Sequence, residues 1–157
     1  MQTSDFQTNA TAQLNKPVLQ QGSRGEAVKE LQTLLTKWNT YTGDIDGIFD
    51  LVVKQAVIAY QRRVFLVEDG IVGNLTWQAL YKGAPVNMPV LKQGSKGKQV
   101  LLVQQQLKST GEYRGTLDSD FGPVTKAAVI AFQKRSNLVA DGIVGDRTWH
   151  ALSKIPR

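Results

Sequence analysis

The sequence predicts an all-α protein built from two tandem three-helix modules. The first observation is a duplication: Val18–Gly25 returns 72 residues later as Val90–Gly97, and the register then holds without a gap to Lys154. About half of the 65 aligned positions are identical. The second observation is that apolar residues recur at helical spacing in both copies. The third is that neither copy shows the alternation of period two that indicates a strand.

The first helix of each copy follows the motif Gly-Ser-x-Gly. Ser23 and Glu26 have the spacing of a capping box, with Ser23 as the N-cap residue, whereas the second copy keeps Ser95 but has Lys98. Helical spacing then defines an apolar face, formed by Val28, Leu31, Leu35 and Trp38 in the first copy and by Val100, Val103 and Leu107 in the second. The helix is expected to end near Asn39 or Gly111.

The second helix of the first copy follows the turn Asp46-Gly47, and the third helix of both copies follows an Asp-Gly turn. Asp50 in the first copy, and Gly122 with Pro123 in the second, suit the start of the second helix. Asp69-Gly70 and Asp141-Gly142 precede a short third helix. The predicted core of the first copy comprises Val28, Leu31, Leu35, Tyr60, Leu66 and Trp77. Its counterparts in the second copy are Val100, Val103, Leu107, Phe132, Leu138 and Trp149.

The repeat also sets the predicted domain boundaries. Residues 1–16 form a polar tail that is expected to be flexible, 17–83 the first module, 84–89 a linker with two prolines, and 90–157 the second module. The tail shows no basic and apolar segments of a signal peptide. No segment approaches the apolar length of a membrane-spanning helix, so a soluble chain without a membrane span is expected.

The motifs resemble those of the peptidoglycan-binding-like domain, the three-helix module often attached to cell-wall hydrolases. They are Gly-Ser-x-Gly-x-x-Val, Ala-Val-x-x-Phe-Gln and Asp-Gly-Ile-Val-Gly-x-x-Thr-Trp. The resemblance implies non-catalytic binding of peptidoglycan, through its glycan or its stem peptides, in the cell envelope (periplasm or wall). Because the same fold serves other roles, the alternative is an interaction module that docks on a cell-wall hydrolase or another envelope protein.

Both copies depart from the family pattern. In the first copy, Asp50 and Val53 replace the Gly and Thr that the second copy keeps. In the second copy, Asp118-Ser119-Asp120 replaces Asp-Gly-Ile, so that this turn lacks its glycine. The geometry of that loop, and the equivalence of the two binding sites, are therefore open.

Three pairs of equivalent residues are the candidate ligand-binding residues: Tyr41, Asp46, Arg63, Tyr113, Asp118 and Arg135. A loop tyrosine can stack on a sugar or cover the core, and an arginine can bind a carboxylate in bidentate fashion or stabilise the C-terminal end of a helix. The aspartates begin turns, where a side-chain oxygen accepts from backbone N–H groups. Gln61 and Gln133 are expected to satisfy the backbone of a loop.

Charge distinguishes the two copies. Residues 18–82 carry seven basic and seven acidic side chains, whereas residues 90–154 carry ten basic and five acidic ones. A basic second module suits an anionic wall polymer, although a solvated basic surface is an equally good interpretation. Nucleic acid is not expected as a partner, because no basic run alternates with aromatic residues.

The residue types needed for catalysis are scarce, and no enzyme is predicted. His150 is the single histidine and there is no cysteine, so neither a zinc site nor a thiol nucleophile is expected. No glutamate of one copy recurs in the other, which argues against a paired-carboxylate glycosidase. Asp44-x-Asp46-Gly47 lacks the remaining ligands of a calcium loop. The sequence therefore predicts no metal and no cofactor.

Overall fold

A computed structural model describes residues 14–157 of the chain. These residues form six helices: α1 (Glu26–Lys37), α2 (Leu51–Arg63), α3 (Asn74–Lys82), α4 (Lys98–Thr110), α5 (Pro123–Arg135) and α6 (Asp146–Ser153). No strand forms within 14–157, where the β-structure is limited to isolated bridges such as Leu19 with Val72. The chain divides into two compact modules between Asn87 and Met88. The prediction of an all-α protein with two three-helix modules is confirmed.

The core of the first module forms between its three helices. Trp77 of α3 is fully buried, and its indole N–H donates to the carbonyl of Pro17 at 2.9 Å. This bond and the Leu19–Val72 bridge fasten the entering chain to the loop before α3. Val86, in the segment after α3, packs into the same core. The module therefore extends beyond its three helices at both ends.

The second module repeats this arrangement. Trp149 of α6 is buried, and its indole N–H donates to the carbonyl of Pro89 at 2.8 Å. Most predicted core residues are buried in both modules. Leu66 and Leu138 are the exceptions, because each lies beyond the end of a helix and is only partly covered.

The helix starts follow the sequence in part. The side chain of Asp50 accepts from the N–H of Val53 at 3.0 Å, and Gly122 with Pro123 begins α5, as predicted. The capping box at Ser23 is wrong, because α1 begins at Glu26 after Gly25, without a side-chain cap. Ser23 instead accepts from the N–H of Gln20 at 3.1 Å and closes the preceding turn. Ser95 does the same with Lys92 at 3.1 Å.

Candidate functional site

A buried glutamine organises the loop before α3. The amide nitrogen of Gln61 donates to Asp69 Oδ1 and to the carbonyl of Ile71, both at 3.0 Å, and to Thr76 Oγ1 at 3.2 Å. Its amide oxygen accepts from the N–H of Gly70 at 3.0 Å. Because the side chain is 1% exposed, these bonds replace those that water would make. The prediction that Gln61 satisfies the backbone of a loop is confirmed.

Gln133 makes the same bonds in the second module. Its amide nitrogen donates to Asp141 Oδ1 at 3.1 Å, to the carbonyl of Ile143 at 2.9 Å and to Thr148 Oγ1 at 3.1 Å. Its oxygen accepts from the N–H of Gly142 at 2.9 Å. The two loops are thus held in one shape.

Gln32 and Gln104 hold the other pair of loops, which sequence reasoning missed. Gln32 donates to Asp46 Oδ1 at 2.9 Å and accepts from the N–H of Gly47 at 2.9 Å. Gln104 donates to Asp118 Oδ1 and accepts from the N–H of Ser119, both at 3.0 Å. The signal was present, because the same polar residue recurs in both copies beside the apolar face of the first helix.

Ser119 does not alter the loop that it joins. Its backbone takes the left-handed conformation at φ 62°, where the first module has Gly47 at φ 74°. The N–H of Asp120 donates to Asp118 Oδ1 at 3.0 Å, as the N–H of Ile48 does to Asp46. The loss of the glycine therefore leaves the geometry of the turn intact.

The predicted aspartates shape their turns. Hydrogen bonds from Gln32 and from the N–H of Ile48 lower the pKa of Asp46 below its ordinary value. Those from Gln104 and Asp120 do the same for Asp118. Both carboxylates lie on the surface while one oxygen of each is held in the loop.

The predicted tyrosines are core residues. Tyr41 is 6% exposed and Tyr113 is 4% exposed. Their hydroxyls donate to the carbonyls of Asp44 at 2.7 Å and of Thr116 at 2.5 Å. A ring so covered presents no open face to a sugar, so the geometry favours packing over stacking.

The predicted arginines bind groups of their own module. Arg63 donates to the carbonyl of Trp38 at 2.6 Å, at the end of α1. Arg135 donates to both carboxylate oxygens of Glu112, at 2.5 and 3.2 Å. The structure brings Tyr41 and Asp46 together through Gln32, but the arginines bond elsewhere. A part for these six residues in ligand binding stays a prediction.

Two matching surface grooves lie over the loops that Gln61 and Gln133 hold. Their volumes are about 340 Å³ in the first module and about 430 Å³ in the second. Both lie between the end of the second helix and the start of the third. The first is lined by Gln61, Leu66, Val67, Asp69, Ile71, Gly73, Asn74, Leu75 and Thr76. The counterparts of all nine line the second, together with Asn137.

Each groove combines apolar walls with a few fixed polar groups. Val67 is 77% exposed and Val139 is 79% exposed, so both valines present apolar surface to solvent. The second groove has Asp146 and Arg147 where the first has Asn74 and Leu75, so it carries one charge of each sign at this end. Apolar walls with few convergent polar groups are typical of ligand sites, and these grooves are therefore the candidate site.

Within residues 14–157, no three His, Cys, Asp or Glu side chains gather closely enough to hold a metal ion. In the same part of the chain, every helix is too short or too polar to cross a membrane.

Residues 24–80 and 96–152 each match the model of the family described as "Putative peptidoglycan binding domain". These segments make up more than half of the chain. The protein belongs to this family and carries two tandem copies of its domain.

The chain is also similar to parts of individual proteins. The chain is 32% identical to the N-acetylmuramoyl-L-alanine amidase CwlM of Mycobacterium tuberculosis, over 83% of this chain and 36% of that protein. It is 30% identical to the spore cortex-lytic enzyme of Bacillus cereus, over 60% of this chain and 37% of the enzyme. It thus spans little more than a third of either relative. The crystal structure of the SleB N-terminal domain shares 36% identity, covering 42% of this chain and 90% of that domain, with a TM-score of 0.42.

Proposed function

We propose that this protein is a non-catalytic binder of bacterial peptidoglycan and that the two matching grooves are its contact surfaces. The observation that carries this proposal is the recurrence of one groove at equivalent positions of both modules. A glutamine with four hydrogen bonds holds the loop beneath each groove, so the surface is shaped before a ligand arrives. The family to which both modules belong is described by peptidoglycan binding.

The groove chemistry suits the repeating units of peptidoglycan. N-acetyl sugars and alanyl stems carry methyl groups beside amides. The methyl groups would contact Val67 and Ile71, or Val139 and Ile143, whereas the amides would bond to polar groups at the rim.

Binding without catalysis fits the polar groups of the grooves. Oδ1 of Asp69 and Asp141 accepts from the backbone and from a glutamine, so these carboxylates shape turns. We place the protein in the cell envelope, where its ligand is found. In the proposed arrangement the two modules attach the protein to the cell wall.

Retention on purified insoluble peptidoglycan sacculi tests the proposal. The wild-type chain is expected to sediment with sacculi, and the pair Val67→Glu with Val139→Glu to remain largely in solution. A charge in each groove would interrupt the apolar contact with the ligand. Because both valines are highly exposed, the substitutions should not unfold the modules, so a loss of sedimentation would reflect lost binding. Val52→Glu with Val124→Glu is the matched control, since these residues are 57% and 59% exposed and line neither groove.

Equal sedimentation of the groove pair and the wild type would show that the grooves are not the contact surface. A wild-type chain that ignores sacculi but binds a purified cell-wall amidase would instead establish the docking alternative.

A further inference from the structure

The two modules differ where their first helices end. In the first module, the indole N–H of Trp38 donates to the carbonyl of Leu80 at 2.7 Å. The ring lies so close to Gly83 that a Cβ there would be 2.3 Å from Trp38 Cη2. The indole therefore fills the space beside the C-terminal end of α3.

The second module has Thr110 in place of Trp38, and the space is open. The carbonyl of Leu152, which corresponds to Leu80, accepts from Gln106 Nε2 at 2.9 Å. Gln106 also donates to the carbonyl of Ile155 at 3.2 Å, which fixes the chain after α6. A pocket of about 430 Å³ lies here, with Thr110, Phe132 and Arg135 among its lining residues.

The groups that line this pocket favour a ligand that carries a negative charge beside apolar groups. The guanidinium of Arg135 lies 5.1 Å from the centre of the Phe132 ring and is paired with Glu112. Lys154 also lines the pocket and has no ion-pair partner within residues 14–157. Its charge is therefore uncompensated, while Ile155 supplies apolar surface beside it.

Glu112 keeps Arg135 in place. Burial raises the pKa of this carboxyl group, but hydrogen bonds from Arg135 and Thr110 outweigh burial and lower it below its ordinary value. The side chain of Glu112 is 12% exposed, whereas that of Arg135 is 52% exposed. The pair neutralises itself, and Lys154 remains as the group that attracts a ligand.

We propose that this pocket binds the terminal carboxylate of a short alanyl peptide, the kind of group that ends a peptidoglycan stem. The carboxylate would pair with Lys154, and the methyl groups would contact Ile155 and the edge of Phe132. The identity of the ligand rests on the proposed function, whereas the pocket itself does not. In the first module the indole of Trp38 occupies the equivalent place, so the site belongs to the second module alone.

The test is an NMR titration of the full chain with N-acetyl-D-alanyl-D-alanine. Saturable shifts are expected at the backbone amides of residues 110, 136 and 154. The C-terminal amide of the same dipeptide should bind at least about tenfold more weakly, because it lacks the charge. Lys154→Ala should weaken binding by a similar factor, whereas Lys82→Ala, the equivalent change in the first module, should leave it unchanged.

A second variant fills the pocket. Thr110→Trp with Ile155→Gly introduces the pair of residues found in the first module and should abolish the shifts. Shifts that are absent, that occur elsewhere, or that saturate in Lys154→Ala at the same dipeptide concentration as in the wild type would overturn the proposal. The variant Val67→Glu with Val139→Glu distinguishes the grooves from this pocket. It should no longer sediment with sacculi but should still bind the dipeptide. Loss of dipeptide binding in that pair would assign the dipeptide to the grooves and overturn the separate site.

Discussion

Ser119 and Gly47 occupy equivalent positions and share the left-handed backbone conformation, at φ 62° and 74°. The N–H of each donates to a buried glutamine, at 3.0 and 2.9 Å. The bond fixes the backbone, so a residue with a Cβ is held in a conformation that L-residues disfavour. The second module therefore keeps the loop of the first at an energetic cost.

Replacing that serine should stabilise the second module. Ser119→Gly stabilises the folded module by removing about 1–2 kcal/mol of left-handed strain. Glycine loses more backbone entropy on folding, which offsets part of this gain by up to about 0.5–1 kcal/mol. The free energy of unfolding in urea should rise by about 0.5–1 kcal/mol. The reverse change, Gly47→Ser, should destabilise the first module, because a Cβ there lies 3.1 Å from the carbonyl oxygen of Gly25. A Ser119→Gly variant less stable than wild type would contradict this account.

Gln61→Leu should destabilise the first module by removing the hydrogen bonds that hold its loop. The change leaves the N–H of Gly70 and the carbonyl of Ile71 without their partner, and each buried unsatisfied group costs about 1–3 kcal/mol. We expect a loss of about 2–4 kcal/mol in chemical denaturation. Gln55→Leu is the control, since Gln55 lies on the same helix with an exposed side chain. Similar losses in the two variants would show that the hydrogen bonds contribute little.

The helices were predictable because their signals are local. Val28, Leu31 and Leu35 lie one turn apart, and Asp50 caps the helix that follows it. The duplication repeats the apolar spacing in the second copy, at Val100, Val103 and Leu107. Ser23 was assigned wrongly because a serine before a helix can serve either the helix or the preceding turn, and only the structure shows which N–H it accepts.

The candidate site was less predictable because its contacts join distant segments. Arg63 binds the carbonyl of Trp38, 25 residues earlier, and no local pattern marks such a pair. The burial of Tyr41 depends on how α1 and its loop pack, so its sequence position suited both stacking and packing. Gln32 escaped notice because a lone glutamine on a helix is usually exposed. The grooves arise only when the loop before α3 is folded against α2.

Acid should weaken both modules through their turn aspartates. Hydrogen bonds from glutamines and from backbone N–H groups lower the pKa of Asp46, Asp118 and Asp141 from an ordinary value of 3.8. A carboxyl group whose pKa is lower when folded stabilises the protein fully above its unfolded value, and this contribution is lost as pH falls through the folded value. The free energy of unfolding should therefore decline below a pH of about 4.

Urea denaturation at a series of pH values measures this decline. The variant Asp46→Asn, Asp118→Asn, Asp141→Asn cannot titrate at these positions, so its stability should depend less on pH below about 4. If wild type and variant lose stability in parallel, other carboxyl groups are responsible.

Salt should affect the second module more than the first. Residues 90–154 carry ten basic and five acidic side chains, whereas residues 18–82 carry seven of each. Attraction between an exposed basic surface and anionic wall groups is screened over about 10 Å at 0.1 M salt. Sedimentation of residues 88–157 with sacculi should decline as the salt concentration rises from about 0.05 to about 0.5 M, because screening strengthens over this range. Equal salt dependence for residues 1–87 would assign no role to the charge difference.

Bivalency should strengthen retention on the wall. Peptidoglycan is a polymer of repeating units, so it offers many copies of the ligand. Two linked sites raise each other's effective concentration, and the resulting avidity can exceed the affinity of one site by about 10²–10⁴. Val86 packs into the first module and the carbonyl of Pro89 bonds to Trp149 of the second, so Asn87 and Met88 alone separate these anchored residues. A short connection raises the effective concentration of the second site once the first has bound, provided that both sites can reach the polymer.

Comparison of the full chain with its halves measures this gain. Residues 1–87 and 88–157 preserve the module boundary, the core residue Val86 and the Pro89–Trp149 bond. Circular dichroism should first confirm that each half is helical. The full chain should then remain bound to sacculi at protein concentrations at which both halves wash off, and Val67→Glu alone should reduce it to the retention of the second half. Should one half bind as tightly as the full chain, the other module serves as a structural partner and bivalency is wrong.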